Sequence, residues 1–167
     1  MPLSVIKGKV WKFGDSISTD LIMPGFTPQG DTPQEKATLC MRANRPEFAR
    51  EVQPGDVIVG GKNFGCGSSR PAAFNFIALG VSCAIAESFG RIFFRNSVNV
   101  GFPILYCPGI STAFEEGDIL QADFQTGEVK NLTSGKILQA EILPEVAMRI
   151  LNAGGVLTLL EEEYRRK

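Results

Sequence analysis

Hydrophobic and polar positions change their rhythm along the chain. Between residues 56 and 107 short uninterrupted apolar runs alternate with longer mixed segments. The runs are 56–59, 82–86 and 103–107, and the segments between them predict helices over 71–79 and 89–98. Strands that lack a polar face are covered on both sides, so this region predicts strand–helix–strand units and a parallel sheet. Residues 118–124, 128–132 and 137–140 instead alternate apolar with polar, and Gly127 and Gly135 close the gaps between them. That pattern predicts half-buried antiparallel hairpins.

Residues 5–13 form another alternating strand, followed by a polar loop over 14–20 and a short apolar piece, 21–25, stopped by Pro24-Gly25. Thr32, Pro33 and Glu35 carry the signature of a helix start, with the helix running to about Met41. A second short helix is expected over 45–50 with Phe48 inward. Gly80 is placed as a helix stop and Ser88 as a helix cap. Pro144 begins a helix that ends at Gly154. Residues 155–160 read as a last strand or helix, and 161–167 as a solvated charged tail.

The stretch that gathers chemistry lies between the run at 56–59 and the helix over 71–79. It reads Gly60-Gly61-Lys62-Asn63-Phe64-Gly65-Cys66-Gly67-Ser68-Ser69-Arg70. Glycines allow positive φ and close approach of a ligand. The following helix N-terminus suits an anion, and Arg70 offers a planar donor fork for a carboxylate. The phosphate-loop pattern is absent, because Lys62 is followed by Asn63. The dinucleotide pattern is absent too, because Arg70 stands where its third glycine belongs.

Composition narrows the chemistry. The 167 residues fit one domain, 1–167, and an apolar share of 44% supports a globular fold. A net charge of −1 gives no footprint for nucleic acid or an anionic membrane, and no apolar run nears the roughly 20 residues of a membrane span. Residues 1–7 lack the pattern of a signal peptide, and a cytoplasmic location is expected. There is no histidine, and Cys40, Cys66, Cys83 and Cys107 form no Cys-x-x-Cys pair. A Ser-His or Cys-His couple is therefore excluded, and no metal site is expected in this chain. Any base must be a carboxylate, lysine, tyrosine or activated hydroxyl.

Three ordered motifs carry a resemblance. They are 18–24 (Ser-Thr-Asp-Leu-Ile-Met-Pro), 61–70 (Gly-Lys-Asn-Phe-Gly-Cys-Gly-Ser-Ser-Arg) and 86–103, which contains Ser-Phe-Gly-Arg-Ile-Phe-Phe-Arg-Asn. Together they resemble the small subunits of 3-isopropylmalate dehydratase, which are similar to the swivelling β/β/α C-terminal domain of aconitase. The resemblance implies an α/β swivel-type domain in a hydro-lyase of leucine biosynthesis. It implies a large partner subunit carrying a [4Fe-4S] cluster, with no cofactor bound by this chain alone. Ser68 aligns with the catalytic base. Ser69 and Arg70 align with residues that hold a substrate carboxylate, and Thr19 and Asp20 with the edge of the same cleft. The substrate so implied is a small hydroxy-dicarboxylate, and the isolated chain is open to homo-oligomer formation.

Two departures bear on specificity. The family usually continues Ser-Ser-Arg-Glu-His, where this chain has Arg70-Pro71-Ala72. The loop after Pro24-Gly25 usually carries Tyr-Leu, where this chain has Phe26-Thr27-Pro28. No lysine or arginine lies between Lys12 and Lys36. A loop of Met23, Phe26, Thr27 and Pro28 therefore suits an apolar substituent over a third carboxylate. Isopropylmalate leads, and dimethylmalate, citramalate, maleate or a non-catalytic carboxylate-binding role stay open.

Overall fold

A computed structural model describes residues 3–25, 32–67 and 70–166. Its centre is a seven-stranded mixed sheet in the order β4-β3-β2-β1-β5-β6-β7. The strands are β1 (Val5–Lys12), β2 (Val57–Gly60), β3 (Cys83–Ala86), β4 (Ile104–Tyr106), β5 (Ile119–Asp123), β6 (Glu128–Asn131) and β7 (Ile137–Gln139). β1 is the pivot. Its first five residues pair antiparallel with β5, from Val5 opposite Asp123 to Lys9 opposite Ile119. Its last three pair parallel with β2, from Val10 opposite Val57 to Lys12 opposite Val59. β2–β3 and β3–β4 continue in parallel, and β5–β6–β7 continue antiparallel. This is the α/β fold anticipated from the two rhythms. Every residue of β2 and β3 is buried, whereas β5 and β6 alternate. The sheet curls, and the Glu141 N–H beyond β7 donates to the Tyr106 carbonyl of β4 at 2.8 Å.

Eight helices complete the described residues: α1 (Thr19–Ile22), α2 (Pro33–Ala37), α3 (Phe48–Glu51), α4 (Ala73–Ala78), α5 (Arg91–Asn99), α6 (Ile110–Ala113), α7 (Glu145–Ala153) and α8 (Val156–Arg165). Thr32 and Glu35 form the expected capping box, but α2 stops at Ala37 rather than near Met41. Met41 is fully buried with φ of 60°, a left-handed conformation that a continuing helix does not allow.

Other expectations shift. The stretch expected as loop and extended piece contains α1, because the Ser18 hydroxyl accepts from the Leu21 N–H and caps a single turn. Ser88 does not cap α5, which begins after Gly90; its hydroxyl accepts from the Asn63 N–H at 2.8 Å instead. α4 begins at Ala73 and not at Pro71, because the Arg70 carbonyl is taken by the Ala72 N–H at 2.7 Å. Pro144 is the residue before α7 rather than its first. Residues 161–165 of the charged tail are the second half of α8, since Glu and Arg favour helix over coil.

The core beneath the glycine loop is aromatic. Phe64 lies 6.4, 6.3, 6.1 and 5.9 Å (ring centroids) from Phe13, Phe76, Phe89 and Phe93. Such edge-to-face and offset pairs contribute about 0.5–1.5 kcal/mol each beyond burial. Phe89 and Phe93 are buried and Phe94 partly so, while Arg91 and Arg95 lie on the exposed face of α5.

Candidate functional site

Strand β2 ends at Gly60, and the chain then runs as a ledge across the carboxyl ends of the parallel strands. On one side it is stitched to the loop after β1. Lys62 N–H donates to Asp15 Oδ1 at 2.6 Å and Ser16 N–H to the Lys62 carbonyl at 2.7 Å. Gly65 N–H donates to the Ile17 carbonyl at 2.6 Å, and Thr19 N–H to the Cys66 carbonyl at 2.8 Å. On the other side Phe64 N–H donates to the Ser88 carbonyl at 3.0 Å, and Gly90 N–H to the Phe64 carbonyl at 2.9 Å. Lys62 and Asn63 thus brace the ledge, and Asp15 does more than form a turn. Glycine is required at 65: φ is +75°, and an added Cβ would lie 2.2 Å from Phe93 Cγ.

This stitching brings two of the predicted residues together. α1 presents Asp20, whose Oδ1 accepts from Arg70 Nε at 2.6 Å, with side chains 61% and 37% exposed. Among the described residues this ion pair engages Arg70 through Nε. Thr19 is buried on the same turn, and its Oγ1 would sit 3.9 Å from a Cβ at Gly67. Ser68 and Ser69, which connect Gly67 to Arg70, lie outside the described residues, as do Phe26, Thr27 and Pro28. The expected anion site at a helix N-terminus is weaker than anticipated, because α4 has only six residues and starts three positions past Arg70.

Two residues at the site had no signal in the sequence. Gly25 reads as an ordinary Pro-Gly turn, yet it packs on the Arg70 guanidinium: an added Cβ would lie 2.6 and 2.7 Å from the terminal nitrogens. Lys36, one turn into α2, joins Met23, Gly25, Arg70, Phe74 and Ile77 in lining a groove of about 550 Å³. Residues 23–25, the described start of that loop, are therefore not remote from positive charge as the loop's own composition suggested.

Glu87, at the end of β3, holds the neighbouring corner. Its carboxylate accepts from Gly109 N–H and Ser111 N–H, each at 2.9 Å, and from the Ser111 hydroxyl at 2.6 Å. Burial pushes this carboxyl up, but the Ser111 and Gly109 donors and the nearby Lys62 charge outweigh it, and the net displacement is below the ordinary value. Cys40, Cys83 and Cys107 are buried, and burial pushes their thiols up, Cys107 to about 12. They are packing residues at neutral pH. Cys66 is half-buried within the ledge. No three His, Cys, Asp or Glu side chains gather into a metal-binding group among the described residues. No described helix is long and apolar enough to cross a membrane.

Comparison with known proteins bears on the family and the fold. The family described as Aconitase C-terminal domain matches residues 29–107. The isopropylmalate/citramalate isomerase small subunit of Methanocaldococcus jannaschii is 50% identical over 161 residues, 96% of each chain. The 3-isopropylmalate dehydratase small subunit 1 of Methanopyrus kandleri is 47% identical over 97% of this chain and 96% of its own. A crystal structure titled 3-isopropylmalate dehydratase (LeuD), also from M. jannaschii, superposes with a TM-score of 0.91 at 37% identity, covering 97% and 96% of the two chains. With near-complete coverage in both sequence and structure, the chain belongs to the family of 3-isopropylmalate dehydratase small subunits, hydro-lyase components related to the aconitase C-terminal domain.

Proposed function

We propose that this chain is the small subunit of a cytoplasmic hydro-lyase that interconverts 2- and 3-isopropylmalate through isopropylmaleate, in leucine biosynthesis. The observation that carries the reading is the Arg70 fork. It is fixed through Nε by Asp20, backed by Gly25, and set at the mouth of an apolar groove. This is half of a site for a hydroxy-dicarboxylate with an alkyl branch. A charge-assisted, bidentate bond from arginine orients one carboxylate. Ser68, two residues earlier, is the base that removes the proton from the carbon next to that carboxylate, and Ser69 and Thr19 add polar contacts. A serine hydroxyl is a weak base, so the positive charge at Arg70 is needed to favour its alkoxide. The loop of Met23, Phe26, Thr27 and Pro28 contributes to the choice of branch.

The described residues offer no seat for a metal cluster. We assign the [4Fe-4S] cluster to a large partner subunit, where it would supply the electrophile for the departing hydroxyl. Citramalate is the second substrate in view, because the M. jannaschii relative is named for both isopropylmalate and citramalate.

The test is reconstitution with a cluster-bearing large subunit. Ser68→Ala is expected to lower kcat by about 10²–10⁴-fold, the usual contribution of a positioned base, while the complex still assembles. A variant that keeps the full rate would show that another group is the base.

A further inference from the structure

We propose that the outer face of α4, through Phe74 and Ile77, is the wall that receives the substrate's alkyl branch, and that it accommodates branches longer than isopropyl. The inference rests on the function proposed above. Phe74 and Ile77 are three residues apart, so they share one face of the helix. They remain 48% and 42% exposed, whereas Ala73 and Phe76 of the same helix are buried. A short helix that leaves a phenylalanine and an isoleucine open beside a carboxylate anchor is presenting them to something.

The groove's shape favours a small ligand. Gly25, Arg70, Met23, Pro71, Phe74 and Ile77 all line it. At about 550 Å³ it lies within the roughly 300–1,000 Å³ of small-molecule sites, which are mostly apolar with few polar groups. No carboxylate lines it among the described residues, while Arg70 and Lys36 both do. An anion with an apolar tail matches that distribution: its carboxylate meets the Arg70 fork and its branch lies along the Phe74–Ile77 face. The buried Asn75 supports the geometry. Its side-chain amide donates to the Ile22 carbonyl at 2.8 Å, which ties α4 to the helix that carries Asp20.

The test uses the reconstituted complex and malates bearing 3-methyl, 3-ethyl, 3-isopropyl and 3-isobutyl groups. The unmodified enzyme is expected to turn over the isobutyl compound at a rate comparable to isopropyl. Phe74→Ala and Ile77→Ala should each lower kcat/KM for the isopropyl and isobutyl members by about tenfold, and for methyl far less, as one or two lost methylene contacts do. Ile77→Trp should reject isobutyl first. Both positions are half-exposed, so the variants are expected to fold, and thermal melting checks this. A uniform change across the series overturns the proposal. So does weaker assembly with the large subunit at unchanged discrimination, which would make the face a subunit seat. Failure of the unmodified complex on every alkylmalate would instead refute the function itself, and the branch pocket with it.

Discussion

The two halves of the sheet use the same chain for different ends. β1 to β4 are parallel, and β2 and β3 are buried along their full length, so their side chains are committed to packing. Polar chemistry is displaced to the loops beyond these strands, which carry Asp15, Asp20, Arg70, Glu87 and Ser88. β5 to β7 are antiparallel and carry polar residues on their open face. Their turns close on themselves, as at Asn131, whose Oδ1 accepts from Thr133 and Ser134 N–H at 2.9 and 3.0 Å. None of the proposed site residues lies there. A site in an α/β sheet belongs beyond the strand ends. Here that rule operates on only half of a sheet, and the other half is scaffold.

Phe64→Ala gives the largest test of this division. It removes the ring at the centre of the parallel half's aromatic cluster and should cost about 3–5 kcal/mol. It should also reduce activity in the protein that stays folded, because the ring anchors the stretch whose backbone bonds to Ser88 and Gly90 position the ledge. Leu120→Ala, buried in β5, should cost about 2–5 kcal/mol with the specific activity of the folded fraction intact. Chemical denaturation paired with assay of the complex separates the two, and equal activity losses would break the comparison.

Arg70→Ala is next. The loss of a charge-assisted carboxylate contact should lower kcat/KM roughly 10–100-fold. Thermal stability should hardly move, since exposed ion pairs such as Arg70–Asp20 contribute about 0–1 kcal/mol. Asn131→Ala should behave in the opposite way. The residue is 1% exposed and its side-chain amide also donates to the Ala113 carbonyl and to Asp118, so stability should drop by about 1–3 kcal/mol with kinetics unchanged.

The smallest effect concerns acid. Glu87 titrates below the ordinary carboxylate value in the folded chain. Its contribution is therefore fully present above about 4.3, the value in an unfolded chain, and is lost as pH falls through the lowered native value. Melting temperature against pH for Glu87→Gln should show a shallower acid limb than the unmodified protein. An identical limb would mean that the corner at α6 is insensitive to this proton.

The rhythm of apolar residues made the two kinds of sheet legible, because burial on both faces and burial on one face leave different patterns. The capping box at Thr32 and Glu35 was legible because it is local. What escaped the sequence depends on distant contacts. Ser88 has the composition of a cap, but a backbone donor 25 residues away claims its hydroxyl. Pro71 suits a helix start, yet the tight turn through Arg70 delays α4. α1 and α6 are single turns, too short to produce a period. At the site, the motif pointed to Arg70 and Asp20 as neighbours of one cleft. The packing of Gly25 on the guanidinium and the approach of Lys36 are products of how α2 folds back on α4, and no spacing along the chain encodes them.

The hydrogen bond from Glu141 to Tyr106 bears on the edges of the sheet. An open sheet has two margins, and unpaired margins invite indiscriminate pairing with other chains. Joining the margin beyond β7 to the end of β4 turns an open ribbon toward a closed loop and shortens the unpaired length. The bond that accompanies the curl of the sheet thus also leaves less edge open to pairing with another chain.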